Sequence, residues 1–244
     1  MKIKYSIKEI KRTLHLKVPW SAVLVYDPLS IRLTWLIANF TKITPNQTTI
    51  LGFLVIIASA YCFFQGTHFY LILGALLCGL ATVLDCTDGK IARLKGRESK
   101  LGGYLDTIVD ALEVFFIVPS LVYGQYLLNK DFSLILIGIF YVFFFSFLIS
   151  DANPFRLYSN REKNKCIVLP DSIKNKFIGK IRISFSSKRL YLIPEVTDAN
   201  TLAFFLFPLL MKVKIGLLFG SAILFFDIMV CLYYFLFVEP KVRQ

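Results

Sequence analysis

Four aspartates in residues 84–111, LDCTDGKIARLKGRESKLGGYLDTIVDA, have a spacing that favours metal chemistry. Asp85 and Asp88 are three residues apart, and Asp106 and Asp110 are four apart, so each pair lies on one face of a helix. Carboxylates that pack together repel one another. Hard divalent cations prefer carboxylate oxygens and relieve that repulsion. The spacing therefore predicts that four carboxylates converge on one or two divalent cations.

A glycine and an arginine beside these aspartates suit a phosphate group. Gly89 follows Asp88 directly and has no side chain, so a metal-bound phosphate can approach the backbone there. Arg93, one helical turn on, can bind a phosphate through two parallel hydrogen bonds. The other charges of this turn are expected to be solvated, as loop charges ordinarily are: Lys95, Arg97, Glu98 and Lys100.

The composition predicts that membrane helices position these residues. The chain has 244 residues, of which 56% are hydrophobic and only 18% charged, which is too apolar for a soluble domain of this size. Asp106 and Asp110 lie in an apolar segment, where ionisable residues are costly and by default functional. The five cysteines lack CxxC or metal-ligand spacing, and we expect reduced thiols. The net charge of +12 suggests anionic partners, and in a membrane chain these are lipids rather than nucleic acid.

We predict an all-α membrane protein with six transmembrane helices in residues 45–244, after a cytoplasmic or interfacial segment at 1–44. Residues 27–41 predict an amphipathic helix lying in the membrane interface. Its apolar stripe comprises Leu29, Leu33, Leu36, Ile37 and Phe40. Pro45 suits the start of the first spanning helix. The predicted spans are residues 49–64, 70–92, 103–126, 132–149, 199–210 and 215–238. In the last span, we expect Asp227 to form a hydrogen bond inside the bundle.

The distribution of basic residues predicts the orientation. Lysines and arginines concentrate in residues 1–46, 90–100 and 153–198 and in the C-terminal tail, and only Lys130, Lys212 and Lys214 fall on the opposite side. By the positive-inside rule, both termini, the aspartate run and the basic 153–198 interval are cytoplasmic. Within that interval, Arg156, Lys188 and Arg189 lie near predicted helix ends and are candidates for binding a phosphate on an acceptor substrate.

The aspartate run resembles the signature of the CDP-alcohol phosphotransferase family at all eight of its fixed positions. These are Asp85, Asp88, Gly89, Ala92, Arg93, Gly102, Asp106 and Asp110. The resemblance implies a two-metal membrane enzyme, using Mg2+ or Mn2+, that transfers a substituted phosphoryl group from a CDP-alcohol to a hydroxyl acceptor and releases CMP. It also implies that Asp110 is the general base as well as a metal ligand, and that the protein is a homodimer.

The resemblance further implies which residues contact the CDP group. Gly89, Arg93 and Ser99 match positions that hold it, and Asn46 and Thr49 match a Pro-Asn-x-x-Thr element that borders the nucleotide pocket. CDP-diacylglycerol is the expected donor, because the site lies at a membrane depth that a water-soluble donor does not require. The expected acceptor is a polyol phosphate such as inositol phosphate or glycerol phosphate, while serine and amino alcohols stay open.

Two other functional classes fit parts of the pattern. A membrane prenyltransferase also binds diphosphate through aspartates and Mg2+, although its aspartate motifs lie on two separated helix pairs. An ion-coupled transporter can use intramembrane acids as a relay. It does not require Gly89 and Arg93 beside them.

Overall fold

The structure is a computed structural model that describes residues 4–15, 18–149 and 194–237, with side chains up to residue 232. Eight helices account for most of these residues, which agrees with the predicted all-α class. They are α1 Ile7–Arg12, α2 Asp27–Phe40, α3 Pro45–Gln65, α4 His68–Lys95, α5 Lys100–Asn129, α6 Ser133–Ile149, α7 Val196–Leu209 and α8 Val213–Phe237. A π-helical turn, Ala22–Tyr26, leads directly into α2, and a second, Thr201–Leu206, lies within α7.

Local sequence signals fix the ends of the helices that carry the aspartates. Thr44 caps α3 and forms a reciprocal capping box with Gln47, and Pro45 occupies the first turn as predicted. Ser99 caps α5 by accepting a hydrogen bond from the Gly102 backbone N–H. Gly96 ends α4 with a φ of +60°, a conformation that glycine adopts without strain. Only four residues therefore separate the two aspartate-bearing helices.

The helices pack as a bundle in which α3 contacts both α4 and α5, and α6 contacts α5 and α8. Two glycines bring α3 and α5 close together. A Cβ atom on Gly124 would lie 2.1 Å from the Phe63 carbonyl oxygen, so a larger residue would force the two helices apart. The Gln125 side chain donates to the Gly66 carbonyl at 3.0 Å in the same place. This contact fixes the end of the bundle far from the aspartates.

Three helices are long and apolar enough to cross a membrane by length and composition: α3, α4 and the 213–232 part of α8. Helix α6 has 17 described residues, and α7 runs from Val196 to Leu209. At 1.5 Å per residue, α7 is about 20 Å long, less than the roughly 30 Å hydrocarbon core. A six-span topology thus stays a prediction, and the fifth span at 199–210 is not confirmed.

Helix α2 begins where predicted, and it packs on the protein mainly through residues outside the predicted apolar stripe. Its buried residues are Asp27, Ser30, Ile31, Thr34 and Ile37. The leucine side of the predicted stripe is turned outward, with Leu29, Leu36 and Phe40 each about half exposed. Of the predicted stripe, Ile37 alone is buried, because the small polar side chains of α2 pack closely on α4. The outward leucines are what a helix in the membrane interface requires.

Two expectations differ from the structure. Helix α4 continues to Lys95 rather than ending at 92, so Lys95 belongs to a helix and its ammonium group lies 3.5 Å from the Ile43 carbonyl oxygen. The Asp227 carboxyl group has no hydrogen bond to the part of the chain that the structure describes, so the predicted bond within the bundle is not seen there. The N-terminal helix α1 was not expected from the sequence.

Candidate metal and nucleotide site

Three of the four aspartates converge between α4 and α5, near the ends of these helices that are predicted to be cytoplasmic. Asp85 and Asp88 lie on α4, Asp106 lies on α5, and one ligand oxygen from each is within 4.8 Å of the other two. Asp88 is buried, and the other two carboxyl groups are partly exposed. We call these three residues the carboxylate trio.

The donor atoms of the trio fit a hard divalent cation. All are carboxylate oxygens, the ligand type that Mg2+ and Mn2+ prefer over nitrogen or sulfur. Three negative charges at this separation repel unless a cation or protons compensate them. A divalent cation held by Asp85, Asp88 and Asp106 is therefore compatible with this geometry.

Asp110 does not belong to the trio. It lies one helical turn beyond Asp106 on α5, which corresponds to about 6 Å along the helix axis. There it lines an internal cavity together with Asp85 and Glu113. That Asp110 is the fourth metal ligand stays a prediction. In the structure, its carboxylate faces the cavity.

The N-terminal end of α3 borders the trio through Thr49. The Thr49 hydroxyl donates a hydrogen bond to the Asp88 carboxylate, and both side chains are buried. Asn46 lies nearby, since a Cβ atom on Gly102 would be 3.5 Å from its amide oxygen and 3.1 Å from the Ser99 hydroxyl. The structure thus gathers the Asn46 and Ser99 side chains on one side of the site, while Thr49 orients a carboxylate of the trio.

The Arg93 guanidinium lies against Gly89. A Cβ atom on Gly89 would be 3.3 Å from a terminal guanidinium nitrogen of Arg93, so a larger residue would crowd that group. The Arg93 Nε atom donates to the Thr13 carbonyl oxygen at 2.8 Å. This bond orients the guanidinium from the end of α1 and does not use its terminal nitrogens. No sequence signal indicated Thr13.

A buried ion pair on another face of α4 was also not predicted from the sequence. The Lys90 ammonium group lies 3.0 Å from the Asp27 carboxylate, and both residues are less than a tenth exposed. Lys90 also donates to the Cys86 carbonyl at 3.0 Å. In the sequence, Lys90 resembles the other charged residues of the basic turn. Its position within the predicted helix, before the loop, was the available sign that it differs from them. The pair joins the start of α2 to the helix that carries Asp85 and Asp88.

A cavity of about 260 Å3 extends from Asp85 and Asp110 into the bundle. The polar side chains that line it, besides those two, are Tyr26, Cys78, Thr82, Glu113, Thr197, Asn200 and Thr201. The apolar ones include Phe145, Leu148, Ile149 and Phe205. Glu113 was missed from the sequence, although it satisfies the same criterion as Asp106, an acid within an apolar helix.

Polar contacts join the N-terminal segment to α7, which lines part of the cavity. Ser21 donates to the Asp198 carboxylate through both its backbone N–H and its hydroxyl, each at 2.7 Å. The Tyr26 phenol and the Thr201 hydroxyl are 3.1 Å apart. The predicted acceptor residues Arg156, Lys188 and Arg189 lie outside the described residues.

The sequence profile of the CDP-alcohol phosphatidyltransferase family matches residues 42–233. Among curated relatives, the archaetidylinositol phosphate synthase of Pyrococcus horikoshii is 41% identical over 70 residues, which cover 29% of this chain and 36% of the relative. The bifunctional IPC transferase and DIPP synthase of Thermococcus kodakarensis is 46% identical over 69 residues, or 28% of this chain and 15% of the relative. These alignments thus span about a third of the first relative's length and less of the second's.

A solved structure has the same fold. The crystal structure of Mycobacterium tuberculosis phosphatidylinositol phosphate synthase with CDP-DAG bound matches with a TM-score of 0.50 at 16% identity, covering 85% of this chain and 90% of that one. The family match extends over most of the chain and includes every residue of the trio. The chain therefore belongs to the CDP-alcohol phosphatidyltransferase family.

Proposed function

We propose that this protein is an integral-membrane transferase of phospholipid biosynthesis. It moves a phosphatidyl group from a CDP-alcohol, CDP-diacylglycerol in the first instance, to a hydroxyl acceptor and releases CMP. The observation that carries this proposal is the carboxylate trio, whose ligand oxygens lie within 4.8 Å of one another inside the family signature. A second support is the Arg93 guanidinium over Gly89, which suits a diphosphate next to those carboxylates.

The trio would hold one or two Mg2+ or Mn2+ ions, and Asp110 is proposed as a further ligand. When bound, such ions neutralise a diphosphate and stabilise the oxygen that leaves with CMP. Thr49 holds the Asp88 carboxylate in place, and Arg93 binds donor phosphate oxygens through its terminal nitrogens. Asn46 and Ser99, which lie close together, contact the remainder of the CDP group.

Asp110 is the proposed general base. The acceptor hydroxyl oxygen attacks the phosphorus atom that carries the lipid, the bond from that phosphorus to the CMP oxygen breaks, and the hydroxyl proton passes to Asp110. Its carboxylate lines the cavity beside Asp85, so an acceptor in the cavity would meet both the base and the edge of the trio.

The proposed acceptor is a polyol phosphate, with inositol phosphate ahead of glycerol phosphate. The relatives named above, an archaetidylinositol phosphate synthase and a phosphatidylinositol phosphate synthase, support that order. Arg156, Lys188 and Arg189 are proposed to bind the acceptor phosphate. Serine and amino alcohols are the competing acceptors.

The proposed location is the cell membrane, with six spans, and with the trio and both termini on the cytoplasmic side. In Ser99→Cys the introduced thiol should react with an impermeant reagent only after permeabilisation, whereas in Asn129→Cys it should react in intact cells. The reverse pattern would overturn this orientation. The homodimer stays a prediction.

The deciding experiment incubates purified protein with CDP-diacylglycerol, Mg2+ and a panel of hydroxyl acceptors, and measures CMP. We expect acceptor-dependent CMP release. Pyrophosphate release from a prenyl diphosphate, without CMP release, would indicate a prenyltransferase instead. Absence of both products would favour a transporter.

A further inference from the structure

The cavity beside the trio is large enough for a substrate, and its lining is chemically selective. Its volume of about 260 Å3 far exceeds the roughly 10–15 Å3 that one water molecule requires. Among the described residues, no lysine or arginine lines it. Three carboxyl groups do so, those of Asp85, Asp110 and Glu113. A phosphate placed here would meet repulsion from these carboxylates and no cation from the described part of the chain.

Glu113 lies in this cavity, one turn beyond Asp110. From the described part of the chain, the hydrogen bond that its carboxylate receives comes from the Cys78 thiol at 3.6 Å. A thiol is a weak donor, and a carboxylate accepts up to about four hydrogen bonds. Most of the accepting capacity of Glu113 is therefore available to a ligand with O–H or N–H donors.

Asn200 faces the same cavity and supplies the complementary group. Its amide oxygen accepts a hydrogen bond from the Tyr141 hydroxyl at 2.7 Å, which fixes the orientation of the amide. The amide nitrogen, which that bond does not use, can donate to a ligand oxygen. The hydroxyl groups of Thr82, Thr201 and Tyr26 extend this mixed lining.

We propose that this cavity receives the uncharged, hydroxyl-bearing part of a polyol acceptor, and that Glu113 determines specificity by accepting hydrogen bonds from hydroxyl groups that do not react. This inference rests on the proposed function. Hydroxyl groups both donate and accept, so they match Glu113 and Asn200 together. An ammonium group would match Glu113 but would meet the amide N–H groups of Asn200 unfavourably.

The orientation of the acceptor follows from the same lining. The polyol body enters the cavity, one hydroxyl lies at Asp110, and a phosphate on the acceptor stays outside among basic groups. A site built to bond hydroxyl groups discriminates strongly against analogues that lack them, because its buried polar groups are then left unpaired. We therefore expect a preference for acceptors with several hydroxyl groups beyond the reacting one.

The test compares the parent protein with Glu113→Gln, using CMP release from CDP-diacylglycerol with inositol phosphate and with glycerol phosphate. Losing a hydrogen bond to a charged group should raise the KM for inositol phosphate by about ten- to a hundredfold. The KM values for glycerol phosphate and for CDP-diacylglycerol should change by less than about threefold, because fewer spare hydroxyl groups or none reach Glu113. Asp227→Asn, another acid of an apolar helix that does not line the cavity, is the matched control and should leave the ratio of the two acceptors unchanged.

Asn200→Asp provides a second variant, because it keeps the oxygen that accepts from Tyr141 and removes the amide donor. It should shift the acceptor ratio in the same direction and carries the test if Glu113→Gln does not fold. Equal losses for both acceptors would mean a structural role and would overturn the inference. The inference would also be overturned if the parent protein prefers serine or ethanolamine and Glu113→Gln lacks that preference.

A binding measurement separates this inference from the proposed function. Equilibrium binding of labelled inositol phosphate to the full chain with Mg2+, without any CDP-lipid, should weaken about tenfold or more in Glu113→Gln. Binding that depends on Glu113 without CMP release would support the cavity and refute the transferase. CMP release with the same acceptor ratio in the parent protein and in Glu113→Gln would support the transferase and refute the inference about the cavity.

Discussion

Helices α4 and α5 carry two acidic regions that lie about one helical turn apart and differ in their surroundings. In the trio, ligand oxygens of Asp85, Asp88 and Asp106 lie within 4.8 Å of one another. In the cavity, which Asp85 also borders, Asp110 and Glu113 lie among hydroxyl and amide groups. The comparison shows that the neighbours of a carboxylate, more than its residue type, decide its chemistry. Carboxylates that converge on one point suit a cation, and carboxylates among hydroxyl and amide groups suit hydrogen bonds and proton transfer.

The largest expected effect belongs to the trio. Asp85→Asn or Asp106→Asn should reduce CMP release on the order of a thousandfold or more, because each removes a charged ligand from ions that supply several kcal/mol of stabilisation. The measurement is the rate across a Mg2+ titration. A parent-like rate at every Mg2+ concentration would show that the trio is not a metal site.

Asp110→Asn should separate the two regions most sharply. We expect kcat to fall by about 10^2 to 10^4, the usual contribution of a general base. Binding of Mn2+, followed by paramagnetic resonance, should be retained if the trio holds the metal without Asp110. If Mn2+ binding is lost as well, Asp110 belongs with the trio and the distinction between the regions disappears.

The Asp27–Lys90 pair tests whether α2 supports the trio from the other face of α4. Lys90→Met leaves the buried Asp27 carboxylate without that partner and should lower the free energy of unfolding by about 3–5 kcal/mol. The double variant Asp27→Asn/Lys90→Met should recover part of the loss. Thermal unfolding in detergent provides the comparison, and a single variant as stable as the parent would contradict the prediction.

Arg93→Lys keeps the positive charge beside the trio but loses the planar guanidinium and its bond to the Thr13 carbonyl. We expect the KM for the CDP-lipid to rise about tenfold, while the KM for the acceptor in the cavity stays near that of the parent. Steady-state kinetics with each substrate varied in turn would reveal this. A change confined to the acceptor would place Arg93 with the cavity.

The smallest effect is expected far from both regions, between α5 and α6. Hydrogen bonds from Lys214 and Ser133 lower the pKa of Asp131 to about 2. A depressed carboxyl pKa stabilises the folded state above the ordinary Asp pKa, and this stabilisation is lost as the pH falls towards 2. Asp131→Asn should therefore lower the unfolding temperature slightly at neutral pH and by less as the pH falls through about 2, with CMP release unaffected. A substantial loss of CMP release would contradict the assignment of catalysis to the opposite end of the bundle.

Much of the helical framework followed from local signals. Pro45 and the Thr44 cap start α3, and the spacing of Asp85 and Asp88 places both on one helix, since capping and periodicity depend on residues a few positions apart. The exposed face of α2 was harder to predict. Amphipathic periodicity identifies a leucine stripe, but it does not say whether that stripe meets protein or lipid.

The candidate site shows the same difference between what local signals predict and what packing decides. By itself, the sequence determined the all-helical class, the two aspartate pairs and the pairing of Gly89 with Arg93, because these depend on neighbours within one or two helical turns. Only the tertiary structure decided that Asp106 joins Asp85 and Asp88 while Asp110 lines a cavity with Glu113. It also decided that Lys90 pairs with Asp27 and that Arg93 meets Thr13. Those contacts join residues 63 and 80 positions apart, and the packing of helices, rather than local spacing, brings them within hydrogen-bonding distance.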